Sequence, residues 1–315
     1  MIKRTLYFGN PTYLSLKKEQ LVVQLPEVEK NETLSDKFKK EAIATFPIED
    51  LGVIILDHQQ ITITHGLIEI LLENNCALIT CDGSRMPVGL MLPLAGNTTQ
   101  TERFRFQINA SAPLKKQLWQ QTVQAKITNQ AMVLNNLTGT IVKNMHAWIN
   151  DVKSGDPDNY EARAAVYYWN NIFKHIPNFK RDRDGSPPNN LLNYGYAILR
   201  AVIARSLVGS GLLPTLGIHH RNKYNAYCLA DDIMEPYRPF VDKLVFEIVA
   251  SGIDYKELTK EIKSKLLSIP VLDVIINGQR SPLMIAAGQT TASLAQCFEG
   301  DIRKIKYPEM IFDES

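Results

Sequence analysis

Leu94-Ala-Gly-Asn-Thr-Thr-Gln100 is the stretch on which the reading of this chain turns. It is mostly small and polar and has no apolar face to bury, so residues 94–100 read as a linker. On its N-terminal side the apolar residues alternate or come in short β-branched runs, which predicts strands over 5–8, 20–24, 54–57, 61–64 and 77–81. Asn10-Pro11, Asp57-His58 and Asp82-Gly83 punctuate these runs as turns. Leu67, Ile68, Leu71 and Leu72 recur at helical spacing and predict one helix over 65–73. The mixed-charge stretch 27–40, with four acids and four lysines, reads as an exposed loop.

On the C-terminal side the period becomes helical, as at Leu114, Leu118, Val123, Ile127 and Met132. Breaks are expected at 154–157, 181–188, 209–211 and Gly278, where turn residues gather. The predicted fold class is α+β. A β-sandwich-like N-terminal lobe occupies residues 1–93, and a larger all-α lobe occupies 101–315.

The chain has 315 residues, 45% hydrophobic and 22% charged, a balance that excludes wholesale disorder and fibrous repeats. Its formal net charge is only +2, but residues 101–150 carry six basic side chains against one acidic one. The six are Arg103, Arg105, Lys115, Lys116, Lys126 and Lys143, a weak footprint for a polyanion, since charge on a helix is usually a solvated face. Four cysteines without a Cys-x-x-Cys pair give neither a zinc ribbon nor a redox motif and fit a reducing cytoplasm. No uncharged apolar run approaches the roughly 18 residues of a membrane span, and the N-terminus does not read as a signal peptide. A cytoplasmic protein without a membrane partner is expected.

Two segments concentrate chemistry-bearing residues. In Asn159-Tyr-Glu-Ala-Arg-Ala-Ala-Val-Tyr-Tyr-Trp169, Glu161 falls in the first turn of a helix, where a carboxylate suits the helix dipole whether or not it has another role. Tyr167, Tyr168 and Trp169 are consecutive, so they cannot share one face, and they read as core packing rather than as base-stacking platforms. In Leu216-Gly-Ile-His-His-Arg-Asn-Lys-Tyr-Asn-Ala-Tyr-Cys-Leu-Ala-Asp-Asp-Ile-Met-Glu-Pro-Tyr-Arg-Pro239, two histidines precede a helix bearing Asp231, Asp232 and Glu235. The spacings i,i+3 and i,i+4 let Glu235 share a face with either aspartate. Oxygen ligands with one imidazole suit Mg²⁺ or Mn²⁺. The same residues also suit a capped, solvated helix after an ordinary loop, and spacing alone leaves both readings open.

Taken together, these segments resemble the CRISPR-associated protein one family, the integrase subunit of spacer acquisition in antiviral defence. The likeness rests on the helix at Glu161, on Leu191-Leu-Asn-Tyr-Gly-Tyr-Ala197, on the Leu-Gly-x-x-His loop ending at His220, on Leu229-Ala-Asp-Asp-Ile-Met-Glu-Pro-Tyr-Arg-Pro239, and on Ser293-Leu-Ala-Gln-Cys-Phe-Glu-Gly300. The resemblance implies that Glu161, His220 and Glu235 are the catalytic metal ligands, that His219 is off register, and that Asp232 is auxiliary. Where the family helix usually reads Glu-Gly, this chain has Glu161-Ala162, a small-for-small change. Length and motif style look most like members that accompany a type II effector.

The resemblance further implies a homodimer through the β-lobe, assembled with CRISPR-associated protein two and with DNA, both a short duplex and the CRISPR repeat. The implied reaction is transesterification by free 3′-hydroxyl ends at the repeat boundary, assisted by Mg²⁺ or Mn²⁺. Arg238 reads as a carboxylate-orienting group, a phosphate contact or a surface cation at a helix end. Arg103, Arg105, Lys115, Lys116 and Lys126 are the candidates for DNA-backbone contacts. A stand-alone metal-dependent nuclease on branched DNA, or a non-catalytic DNA-binding scaffold, would use the same residues differently.

Overall fold

A computed structural model describes residues 3–312, and the chain divides into two compact units between Gly96 and Asn97. In the first unit the alternating segments become β1 (Arg4–Phe8), β2 (Thr12–Lys17) and β3 (Gln20–Gln24). Two short helices follow, α1 (Pro26–Glu29) and α2 (Asp36–Glu41), then β4 (Ala44–Pro47), β5 (Leu51–Leu56) and β6 (Ile61–Ile63). Helix α3 (His65–Glu73) leads to β7 (Ala77–Cys81) and β8 (Pro87–Met91). The strands form two four-stranded sheets, ordered β1-β5-β7-β8 and β4-β3-β2-β6.

Both sheets are mixed. β1 and β7 run parallel to β5, and β6 runs parallel to β2. A central parallel strand is covered on both faces, and β5 accordingly reads as an unbroken apolar run with Leu51 to Ile55 all buried. Leu14 and Leu21 from one sheet, Ile54 and Leu78 from the other, and Leu67 and Leu71 from α3 share a single core.

The expected boundaries of β3, β7 and α3 coincide with those observed, while β2, β4 and β8 were not expected. β2 buries little beyond Thr12 and Leu14, so its sequence carries a weak alternation signal. The stretch expected as an exposed loop holds α1 and α2. Helix α2 is capped by Ser35, whose hydroxyl accepts from the Phe38 N–H at 3.3 Å.

The second unit begins with α4 (Gln100–Asn109) and the long α5 (Ala112–Thr138). Ser111 caps the start of α5, and Gly139 closes it with φ 64°, the left-handed conformation that glycine adopts without a Cβ clash. Next come α6 (Lys143–Asp151), α7 (Tyr160–Ile172) and α8 (Asn189–Gly209). Helix α9 (Cys228–Met234) runs through a 3-10 turn (Glu235–Tyr237) into α10 (Arg238–Ala250). The chain continues through α11 (Lys260–Leu266), β9 (Asp273–Ile276), β10 (Gln279–Pro282) and α12 (Leu283–Glu299).

Helix α8 is long and apolar enough to cross a bilayer by composition, yet most of it is buried inside this unit as the central core helix. Gly195 allows α10 to approach it closely, since a Cβ there would lie 2.5 Å from Val241 Cγ1. The unit is mainly helical but not wholly so. Gly278, expected as a helix break, is the tip of a β9–β10 hairpin whose Asn277 and Gly278 have φ of 52° and 73°. Positive φ at both central positions suits the tight turn that matches strand twist, which is why Asn-Gly occurs there.

Candidate active site

Glu161 owes its position to the start of α7. Asn159 takes a left-handed conformation at the helix entry. Asp156 turns its carboxylate onto the first helical amides, accepting from Tyr160 N–H and Glu161 N–H at 2.9 Å each. That pairing satisfies donors which a helix leaves open at its N-terminus. Glu161 then points toward α5, where its Oε1 meets the ammonium of Lys126.

Glu235 lies at the junction of α9 and the 3-10 turn and is buried. Its Oε2 is 2.6 Å from Lys126 Nζ, and its Oε1 is 3.1 Å from Arg238 Nε. Burial pushes the Glu235 carboxyl up, but Arg238 and Lys126 outweigh it and hold the carboxyl down to about 2. Burial likewise works against the charge on Lys126, yet Glu235 and Glu161 keep its ammonium above the ordinary lysine value. Arg238 also lies over the Tyr196 ring, 4.8 Å from its centroid, so the guanidinium is held while it orients the carboxylate.

His220 belongs to the loop before α9. Its Nδ1 is 2.5 Å from Asp232 Oδ1, which leaves Nε2 as the nitrogen available to a ligand. This bond to Asp232 raises the His220 pKa against the effect of partial burial. His219, off the ligand register, stacks on Trp119 with ring centroids 4.0 Å apart and planes 4° from parallel. Burial, followed by the neighbouring His220, lowers the His219 pKa. Trp119 also meets the edge of His220 at 5.7 Å.

The structure thus brings Glu161 and Glu235 together on one ammonium and sets His220 within electrostatic reach of Glu235. Among the described residues, no group of three His, Cys, Asp or Glu side chains is placed so that it could hold a metal ion without rearrangement, and Lys126 stands between the two carboxylates. The donor set nonetheless fits a hard divalent cation. Two carboxylates from separate elements already face one positive charge, and the imidazole has a nitrogen to spare.

Asp232 is fully buried, and its oxygens accept from the backbone N–H of Ile218, His219 and His220 at 2.7, 3.0 and 3.2 Å. It anchors the histidine loop, with both oxygens engaged by the loop's N–H groups and by the His220 ring. Asp231 ties α9 to α8 through Arg200 Nε and to the loop through Asn225 Nδ2, both at 2.7 Å.

Lys126, grouped by charge with the DNA-backbone contacts, is buried within the carboxylate pair instead. Arg103 is engaged by Glu299 at 3.1 Å and by the Ser210 carbonyl at 2.7 Å, joining α4 to α12 and to the end of α8. Arg105 and Lys116 are exposed. Lys115 lines an open depression of about 420 Å³ beside His220, together with Arg221, Lys223, Asn222 and Asn225. Arg221 and Lys223 lie outside the basic 101–150 stretch, and only the path of the loop brings them to the same depression as Lys115. Asp156 had a signal in its Asp-Pro position before a helix, whereas Lys126 had none.

Tyr168 lies beneath the site, on α7 with Glu161, and donates to Asp242 Oδ2 at 3.0 Å, while Tyr196 donates to Oδ1 at 2.5 Å. The buried Asp242 carboxyl is pushed up to about 7 by desolvation, against the two hydroxyls and the charges of Arg181 and Arg238. Tyr167 bonds the Ile141 carbonyl, and Trp169 packs near Phe173 and Phe179, so the three consecutive aromatics do serve three different contacts.

The model of the family described as CRISPR associated protein Cas1 matches residues 6–268. A CRISPR-associated endonuclease Cas1 of Neisseria meningitidis serogroup C is 36% identical over 313 residues, covering 99% of this chain and 97% of that protein. Among solved structures, a casposase bound to its integration product superposes with a TM-score of 0.77 at 20% identity, over 97% of this chain and 92% of the other. A Cas6-RT-Cas1–Cas2 complex gives a TM-score of 0.72 at 18% identity, over 96% of this chain and 35% of the larger one. These structural likenesses extend across both units and show a shared fold.

Proposed function

The chain belongs to the CRISPR-associated Cas1 family, and from that premise we propose that it is a metal-dependent DNA integrase of spacer acquisition. It joins the 3′-hydroxyl ends of a short DNA duplex to a CRISPR repeat by transesterification. The observation that carries this reading is the convergence of Glu161 and Glu235 on one cation-holding position, with His220 within electrostatic reach of Glu235 and its Nε2 left open.

Glu161, Glu235 and His220 Nε2 would hold a Mg²⁺ or Mn²⁺ ion, whose contribution when bound is charge neutralisation at the scissile phosphate. The chain's own residues do the rest. Asp232 fixes the imidazole through Nδ1 and so aims Nε2, the arrangement by which an outer carboxylate orients a ligating histidine. Arg238 holds Glu235 in one orientation, and Asp156 fixes the backbone that carries Glu161. Lys115, Arg221 and Lys223 flank the depression at His220, where phosphates of the incoming strand can be neutralised without base readout. One P–O bond forms as another breaks, so the number of phosphodiesters is conserved and the joining is reversible.

In this reading the partners are DNA, a CRISPR-associated protein Cas2 and a second copy of the chain docked through the first unit. The homology with a Cas1 endonuclease and the shared fold with a Cas1–Cas2 complex support it. The test is a strand-transfer assay with the chain, its Cas2 partner, a short duplex with free 3′-hydroxyls and a repeat-bearing plasmid. It is run with Mg²⁺, with Mn²⁺ and with chelator, for wild type and Glu161→Ala. Covalent joining that needs metal, partner and Glu161 is the expected result. Metal-dependent cutting without joining would make the chain a nuclease, and DNA binding with neither would make it a scaffold.

A further inference from the structure

Lys126 is the side chain that no motif marks and that touches the site most directly. It descends from the middle of α5, and only 7% of the residue is exposed. Its ammonium meets one oxygen of Glu161 from α7 and one oxygen of Glu235 from the 3-10 turn, while Arg238 holds the other Glu235 oxygen. A buried ammonium keeps its charge at low cost only when anions face it, and two ionised carboxylates at close range need a cation to offset their repulsion. The fold itself therefore supplies two cations against two carboxylates.

The geometry points to Lys126 as a positioning residue whose ammonium and a divalent cation are alternative occupants of the place between Glu161 and Glu235. This inference rests on the reading above that the two carboxylates take such a cation. The oxygens that Nζ engages, Oε1 of Glu161 and Oε2 of Glu235, are the ones that face each other across that place. A divalent ion bonded to the same oxygens would put its charge against the ammonium in poorly solvated surroundings, where repulsion is strong. Metal entry is then an exchange. The carboxylate–ammonium contacts break, carboxylate–metal bonds form, and the lysine head moves aside. Lys126 keeps the carboxylates together before the metal arrives and limits how tightly the metal is held afterwards.

The experiment measures Mn²⁺ binding to the full chain by the electron paramagnetic resonance signal of free Mn²⁺, alongside melting temperatures in chelator and in saturating Mn²⁺. Wild type, Lys126→Met and Glu161→Gln are compared. Methionine keeps the unbranched stem, one atom shorter, and removes its charge. The inference expects Lys126→Met to bind Mn²⁺ at least about tenfold more tightly than wild type. The variant should also melt lower than wild type in chelator and regain that loss with Mn²⁺. A merely structural lysine would give weaker binding when removed, so unchanged or weaker Mn²⁺ affinity overturns the inference.

If Lys126→Met precipitates in chelator, it and Lys126→Gln are prepared with Mn²⁺ present. Folding rescued by the ion supports the exchange, and failure of both to fold at saturating Mn²⁺ overturns it. Failure of the metal reading looks different. Wild type would then bind no Mn²⁺, or Glu161→Gln would bind it as wild type does, and the inference falls with that reading.

Discussion

Asp232 Oδ1 and His220 Nδ1 meet at 2.5 Å, while the same carboxylate gathers the backbone N–H groups of Ile218, His219 and His220. One fully buried side chain on α9 thereby determines both the path of the histidine loop and the ring nitrogen that His220 turns outward. The relationship separates two roles that sequence spacing merges. Glu235 faces the cation-holding position, and Asp232, three residues earlier, faces the loop.

Asp232→Ala removes the acceptor for four donors at once and leaves three loop amides to find new partners. Each unsatisfied buried donor costs about 1–3 kcal/mol, so a total loss of about 3 kcal/mol or more is expected. Calorimetry should show a melting temperature lowered by several degrees, and joining should be abolished. A variant that melts as wild type does would show that the loop is held by something else.

Gly217 is required by close approach rather than by an unusual dihedral. A Cβ at this position would lie 2.4 Å from the His220 carbonyl oxygen and 2.7 Å from Asp232 Oδ2. Gly217→Ala must therefore open the loop, at an overpacking cost of about 1–3 kcal/mol. DNA joining is expected to fall at least roughly tenfold, because misplacing a site group by a fraction of an ångström already costs rate. Joining kinetics and thermal melting, measured on the same preparation, check both statements; retained joining would remove Gly217 from the account of the site.

Asp156 serves as the amide acceptor at the start of α7, so Asp156→Ala should cost about 1–2 kcal/mol and loosen the backbone beneath Glu161. Asp156→Asn, which keeps one acceptor oxygen of the two, should recover only part of that loss. Urea denaturation of both variants distinguishes the cap from a generic surface aspartate, for which both would match wild type.

Asp242 makes stability depend on pH with a definite sign. Its carboxyl is pushed by burial from an ordinary value of 3.8 up to about 7. Between those values the unfolded state holds fewer protons than the folded one, so this group's stabilising contribution is complete below about pH 4. It is lost as pH rises to about 7 and stays level above that. Asp242→Asn removes this dependence. The stability of the variant relative to wild type should therefore rise by about 3 to 5 kcal/mol between pH 4 and pH 7. Denaturation at a series of pH values reads that difference directly, and a flat difference across the window would refute the buried, proton-holding carboxyl.

Part of the order of strands and helices was legible because period and turn chemistry are local, whereas β2, β4, β8 and the strands of the β9–β10 hairpin carried too weak or too short a pattern. The alternation in β3 and β7, the helical spacing in α3, and the change of period across 94–100 all act over a few neighbouring residues. The Asn277-Gly278 hairpin was legible in principle, since its dipeptide carries the turn. The helix at Glu161 and the loop at His220 were legible as motifs. Lys126 was not, because a lysine on a long helix looks the same in sequence whether it faces water or two buried carboxylates. The division of labour between Asp232 and Glu235 was equally hidden, since i,i+3 spacing places both on one helix face but does not say what each meets. Residue type and periodicity determined where the strongly patterned elements run and which side chains could react. Only the packing of α5 against α7 and the turn after α9 decided which charges face one another, because the cost of burying a charge depends on the partners that distant segments bring to it.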